Sequence, residues 1–149
     1  MELSERSALL PGISLASAKP ENIGAISDIP CQTAVIISAD GMGNIANALS
    51  LCRENGVETL YLRVESSAGF AAAERILAGV SGEFRVIAEV SAVSGISELH
   101  SLRALTENGV EALITRPLFS CKEYHDFVER AALAGITAPI SAGVMVLTQ

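Results

Sequence analysis

The pentapeptide ENGVE occurs twice, at residues 54–58 and 107–111, and an arginine follows each copy at the same distance: ENGVETLYLR ends at Arg63 and ENGVEALITR at Arg116. Upstream of the first copy lies IANALSLCRE, with Ile45, Leu49 and Cys52 about one helical turn apart. Upstream of the second lies ISELHSLRALTE, with Leu99, Leu102 and Leu105 at similar spacing. Both patterns predict amphipathic helices. Asn-Gly then stops each helix, because Gly56 and Gly109 can enter the left-handed region that closes a last turn. The segments that follow, VETLYLRV and VEALITR, are short, apolar and rich in β-branched and aromatic residues, as buried strands are. ENGVE is thus a helix-to-strand joint, and each arginine lies toward the carboxyl end of its strand. In parallel sheets with crossover helices, ligands bind at that end.

A looser third copy, FVERAALAGITAPISAGVMV, has Gly135 as the stop and residues 136–146 as the strand region. A further helix, AGFAAAERILAGV, leads through Ser81 and Gly82 into FRVIAEVS. With TAVIISA between Pro30 and Asp40, and GISLAS before it, about six strands are expected, near 13–16, 33–39, 58–64, 84–90, 111–116 and 138–146. Alternating helices and apolar strands define an α/β chain with a parallel sheet flanked by helices.

At 149 residues the chain forms one domain, residues 1–149, and is long enough to bury a core. Half of it is hydrophobic and 18% is charged, which excludes a disordered chain. Its apolar runs are too short and interrupted to span a bilayer. MELSERSALLPG reads as a short helix rather than a signal peptide, so a cytoplasmic location is expected. The net charge of −7 argues against nucleic acid and anionic membranes as main partners. Cys31, Cys52 and Cys121 are odd in number and widely spaced, which fits free thiols rather than disulfides or a zinc site.

Few motifs carry chemistry. Residues 40–44, DGMGN, lack the third glycine of a dinucleotide fingerprint and the lysine of a P-loop, so a tight turn with Asp40 or Asn44 near a helix start is expected. His100 and His125 fall on predicted helices, away from strand ends, and read as surface residues; no GxSxG is present. Pro20 opens a short helix that Pro30 ends, and Ser120 with Glu123 has capping-box spacing. Arg63, Glu65, Glu89 and Arg116 would share one rim of a parallel sheet, either as a ligand site or as an ion-pair network.

Residues 98–146 resemble methylenetetrahydrofolate reductase. The matching positions include Leu102, Gly109, Ile114, Thr115, Phe119, Tyr124, Phe127, Arg130, Gly135, Ile136, Pro139, Ile140, Gly143 and Met145, in the order and spacing of that family. Further upstream, TAVIISAD and ENGVETLYLRVE align with two earlier strands of its barrel. The resemblance implies a (β/α) barrel that holds FAD at its carboxyl face and transfers hydride to methylenetetrahydrofolate. It implies cofactor-binding roles for Arg63, Glu65 and Arg103, and substrate-binding roles for Arg116 and Phe119; no catalytic residue carries over, and no metal is implied. Leu62-Arg63-Val64-Glu65 stands where the family has Leu-Arg-Gly-Asp, Arg116 where it has the folate-contacting glutamine, Ser120 where it has an aspartate, and Val146 where it has a proline.

A closed eight-stranded barrel typically takes about 250 residues. The expectation is therefore a shortened barrel-type sheet of about six strands, whose open edges need cover from another copy or a partner subunit. Two functions follow: a flavin-dependent oxidoreductase of one-carbon metabolism, or a non-catalytic barrel-derived subunit that binds a small anion.

Overall fold

A computed structural model of the protein describes residues 14–17, 33–40, 45–80 and 82–144. Strands β1 (Ser14–Ser17), β2 (Thr33–Ser38), β3 (Thr59–Arg63), β4 (Arg85–Val90), β5 (Val110–Pro117) and β6 (Ile140–Gly143) form one six-stranded sheet. Helices α1 (Ile45–Glu54), α2 (Ser67–Val80), α3 (Ile96–Glu107) and α4 (Cys121–Leu133) fall between β2 and β6, one in each connection. The expected N-terminal helix, the helix opened by Pro20, Gly41–Asn44 of the DGMGN turn, and positions 145–146 of the last strand lie outside the described residues.

Every neighbouring pair of strands is parallel, and the spatial order is the sequence order, β1 to β6. A doubly wound sheet reverses its order at a switch point; this one does not. Right-handed crossovers between sequential parallel strands put successive helices on the same face. The core agrees. It takes Val35 and Ile37, Leu60 and Leu62, Val86, Ala88 and Val90, and Leu113 from one face of β2 to β5, and joins them to Leu49, Phe70, Leu77, Leu102 and Phe127 of the helices.

The joints form as the sequence predicts. Gly56, Gly109 and Gly135 have φ of 67°, 121° and 84°, and each follows a helix whose apolar stripe is buried. A bulge sets β5 apart: Val86 pairs with Val110 but Ile87 with Ala112, leaving Glu111 as the extra residue. Val110 and Leu113 both reach the core although three positions apart, which strict alternation would forbid. The capping box expected at α4 does not form: Ser120 is the N-cap residue, but its side chain makes no capping hydrogen bond. Instead the equivalent Glu98 of α3 accepts from the Gly95 amide at 2.8 Å.

Candidate functional site at the carboxyl rim

On the sheet face opposite the helices, parallel register sets Ser38, Arg63, Glu89 and Ile114 side by side in one row, with Ile36, Tyr61, Ile87 and Ala112 in the row below. Alternation gives Tyr61 and Arg63 the same face; β5 has a second register shift between Ile114 and Pro117, and a 3.9 Å contact with Glu89 places Arg116 beside them. The carboxyl ends of β3, β4 and β5 therefore bring two cations, one carboxylate and a phenol to one place.

Glu89 is the hub. Its side chain is only 12% exposed, and it accepts hydrogen bonds from the Tyr61 hydroxyl at 2.8 Å and from Arg63 Nε at 3.0 Å and Nη2 at 3.4 Å. Burying a carboxylate is costly unless it is paired and hydrogen-bonded, and here both conditions are met. Burial pushes the Tyr61 phenol well above its ordinary value, and its hydrogen bond to the Glu89 carboxylate adds to the rise.

Arg116 is held differently. Its Nε lies 3.9 Å from Glu89 Oε1, too far for a hydrogen bond, and its Nη2 donates to the Val64 carbonyl at 3.3 Å. The side chain is 39% exposed. Among the described residues this is its only hydrogen bond, so further guanidinium donors are left over. Asp40, at the end of β2, completes the cluster. It accepts from the Glu65 amide at 2.7 Å and from the Ser66 hydroxyl, and so ties β2 to the start of α2. The Ser66 hydroxyl lowers its carboxyl below the usual range against the opposing effect of desolvation, and the charge of Arg116 acts in the same direction as Ser66.

Of the residues singled out in the sequence, Arg63, Glu89 and Arg116 are thus brought together. Glu65 lies at the same rim but joins through its backbone amide, and its side chain is exposed. Arg103 is not brought there. It pairs with Glu107 at 2.8 Å and lies against Gly135, in the α4–β6 joint at the amino ends of the strands. Phe119 lies in the β5–α4 connection, 82% exposed, and lines a cleft of about 290 Å³ with Tyr124, His125 and Val144. His100 and His125 are exposed, Cys52 is buried, Cys121 is exposed, and Cys31 lies outside the described residues. Among the described residues no cluster of three or more His, Cys, Asp or Glu could hold a metal, and no helix is long and apolar enough to cross a membrane.

Two members of the rim cluster were missed in the sequence. Tyr61 was legible as the residue two before Arg63 on the same strand face, and thus beside any partner of that arginine. The sequence pattern places Asp40 in a local turn, whereas it binds an element 25 residues away. Comparison with protein-family models and with curated proteins finds no match.

Proposed function

We propose that the chain is a shortened barrel-type relative of methylenetetrahydrofolate reductase, whose carboxyl rim binds an anionic ligand. In its catalytic form it would be a flavin-dependent oxidoreductase of one-carbon metabolism. The observation that carries this reading is the register of the two arginines. Counted from ENGVE, Arg63 and Arg116 are equivalent, yet the row of Arg63 meets β5 at Ile114, two residues before Arg116. An eight-stranded barrel of shear eight staggers by about one residue per strand, so two strands of stagger restore both arginines to one height on the barrel axis. The sequential, all-parallel strand order supports the same architecture.

FAD, which the resemblance implies, brings anionic groups and a flat ring to the mouth. The rim fits that charge with two guanidinium groups on alternate strands. Val64, at the position of the family's glycine, keeps its side chain in the helix-facing core at 4% exposure and so does not fill the mouth. Bound flavin would supply hydride acceptance and donation. Arg63 and Arg116 would hold anionic groups, with Glu89 fixing the orientation of Arg63.

One observation favours a second reading, a non-catalytic anion-binding subunit. Glu89 already occupies two donors of Arg63, so the Arg63 side of the rim is satisfied before any ligand enters and Arg116 is left to take an anion. Titration with FAD, followed by flavin absorbance and fluorescence, separates the two. Saturable binding that weakens in Arg63→Gln supports the oxidoreductase; absence of flavin binding removes it and leaves the binding subunit. Self-association is proposed with either reading. Among the described residues β6 pairs only with β5, and Val144 beside it is 76% exposed. Light scattering of the dilute protein should give more than a monomer; a stable monomer would refute this part.

A further inference from the structure

The two rim arginines differ in what they have left to offer. Arg63 is committed to Glu89 through Nε and Nη2, and Glu89 is itself held by the Tyr61 hydroxyl, so this part of the rim is fixed. Among the described residues Arg116 has one hydrogen bond, to a backbone carbonyl, and its contact with Glu89 is long. A guanidinium fork with unused N–H groups matches the two oxygens of a planar carboxylate. Glu89 is paired with Arg63 through hydrogen bonds, whereas Arg116 makes only a long contact with it and acts on the Asp40 carboxylate by charge alone. The Glu89 carboxylate is nearly buried, where screening by solvent is weak.

From this geometry we infer that the rim selects a monoanionic carboxylate ligand, with Arg116 as the contacting residue and the fixed Glu89 carboxylate as the element that rejects a single group bearing two negative charges, such as a phosphate monoester; each phosphate of FAD bears one. This deepens the proposed anion-binding reading and rests on it. One negative charge entering beside Arg116 is matched by its guanidinium. A second must be held within the field of Glu89, a carboxylate that its three hydrogen bonds prevent from turning away. Selectivity then comes from repulsion built into the site as much as from attraction.

A matched pair of probes tests the inference. Benzoate and phenyl phosphate share a ring and differ in the anion; at about pH 8 a phosphate monoester is a dianion. Each is titrated into the full chain and followed through the arginine Nε–H signals in nitrogen–proton NMR spectra. Benzoate should shift the Arg116 signal saturably, and phenyl phosphate should bind roughly tenfold more weakly, the effect of one extra like charge held close by. Arg116→Gln should abolish benzoate binding while leaving the backbone spectrum intact. Glu89→Gln, which keeps a hydrogen-bond acceptor for Tyr61, should narrow or reverse the preference. Phenyl phosphate binding as tightly as benzoate to the unaltered protein would overturn the inference, as would benzoate binding that survives Arg116→Gln. If Glu89→Gln does not fold, those two comparisons still decide the matter. The same samples titrated with FAD keep the outcomes apart: carboxylate selectivity without flavin binding refutes the oxidoreductase reading and sustains this one, and the reverse result does the opposite.

Discussion

Glu89→Ala is the substitution whose cost the rim geometry fixes most closely. It leaves the Tyr61 hydroxyl, in a residue only 6% exposed, without its acceptor at 2.8 Å. A hydrogen bond to a charged group contributes about 1.5–3 kcal/mol, and orphaning a buried donor takes the full amount. The Arg63 pair adds less, about 0.5 kcal/mol, because that arginine is 36% exposed and solvent screens it. The total is about 3 kcal/mol, which should lower the urea midpoint by about 1.5–2 M for a slope of about 1.5–2 kcal/mol/M. Arg116→Gln removes only a 3.9 Å ion pair and one 3.3 Å hydrogen bond from an exposed side chain, so its cost should stay below about 1 kcal/mol. The paired variants Tyr61→Phe and Glu89→Gln, alone and together, should couple by about 1 kcal/mol. If Glu89→Ala costs no more than Arg116→Gln, or if the two paired changes are additive, Glu89 is not the hub of the rim and the site as described is wrong.

In Tyr124→Phe protein, which leaves Tyr61 as the only tyrosine, tyrosinate absorbance should stay absent well beyond the ordinary value of about 10. Because the folded value is the raised one, the associated stability is complete below about pH 10 and is lost as pH rises toward the folded value; ionisation near pH 10 in the native state would contradict the buried bond. Burial pushes the Cys52 thiol up to about 11, so with Cys31 and Cys121 changed to serine it should react with a thiol reagent only at the rate of unfolding. Rapid native-state labelling would refute its place in the core. Gly143→Ala should displace β6, because a Cβ there would stand 2.2 Å from the Thr115 carbonyl oxygen, and backbone cannot yield as a side chain can. A cost of about 1–3 kcal/mol in thermal unfolding is expected, and a neutral result would mean that β5 and β6 are not so close.

Much of the fold was legible because the repeated joint carries its own physics. A glycine stop after an apolar helical stripe, followed by a short β-branched run, leaves few alternatives, and the positive φ at Gly56, Gly109 and Gly135 is its direct result. Parallel pairing followed from the connections. The bulge at Glu111 was not legible, since VEALITR alternates no differently from a regular strand and the extra residue is defined only by its partner on β4. The rim was half legible: Arg63 and Arg116 were marked by their position after ENGVE, and Glu89 by its place on the next strand. Arg103 was carried over from the resemblance alone. Its helix runs antiparallel to the strands, and the residue lies near the helix's carboxyl end, so it comes to rest at the opposite end of the sheet. The role of Asp40 depends on a contact with the following unit, which no local pattern encodes.

The central claim is that ligands bind at the carboxyl rim, and amide hydrogen exchange with and without saturating FAD tests it most directly. Protection should appear in the connections at that end, residues 64–67, 91–95 and 117–120, and should vanish in Arg63→Gln and Arg116→Gln. Protection confined instead to the outer cleft between α3 and α4, lined by Ile96, Leu99, His100 and Leu133, would contradict it; no change with FAD would remove the oxidoreductase reading, and no change with saturating benzoate as well would contradict rim binding altogether.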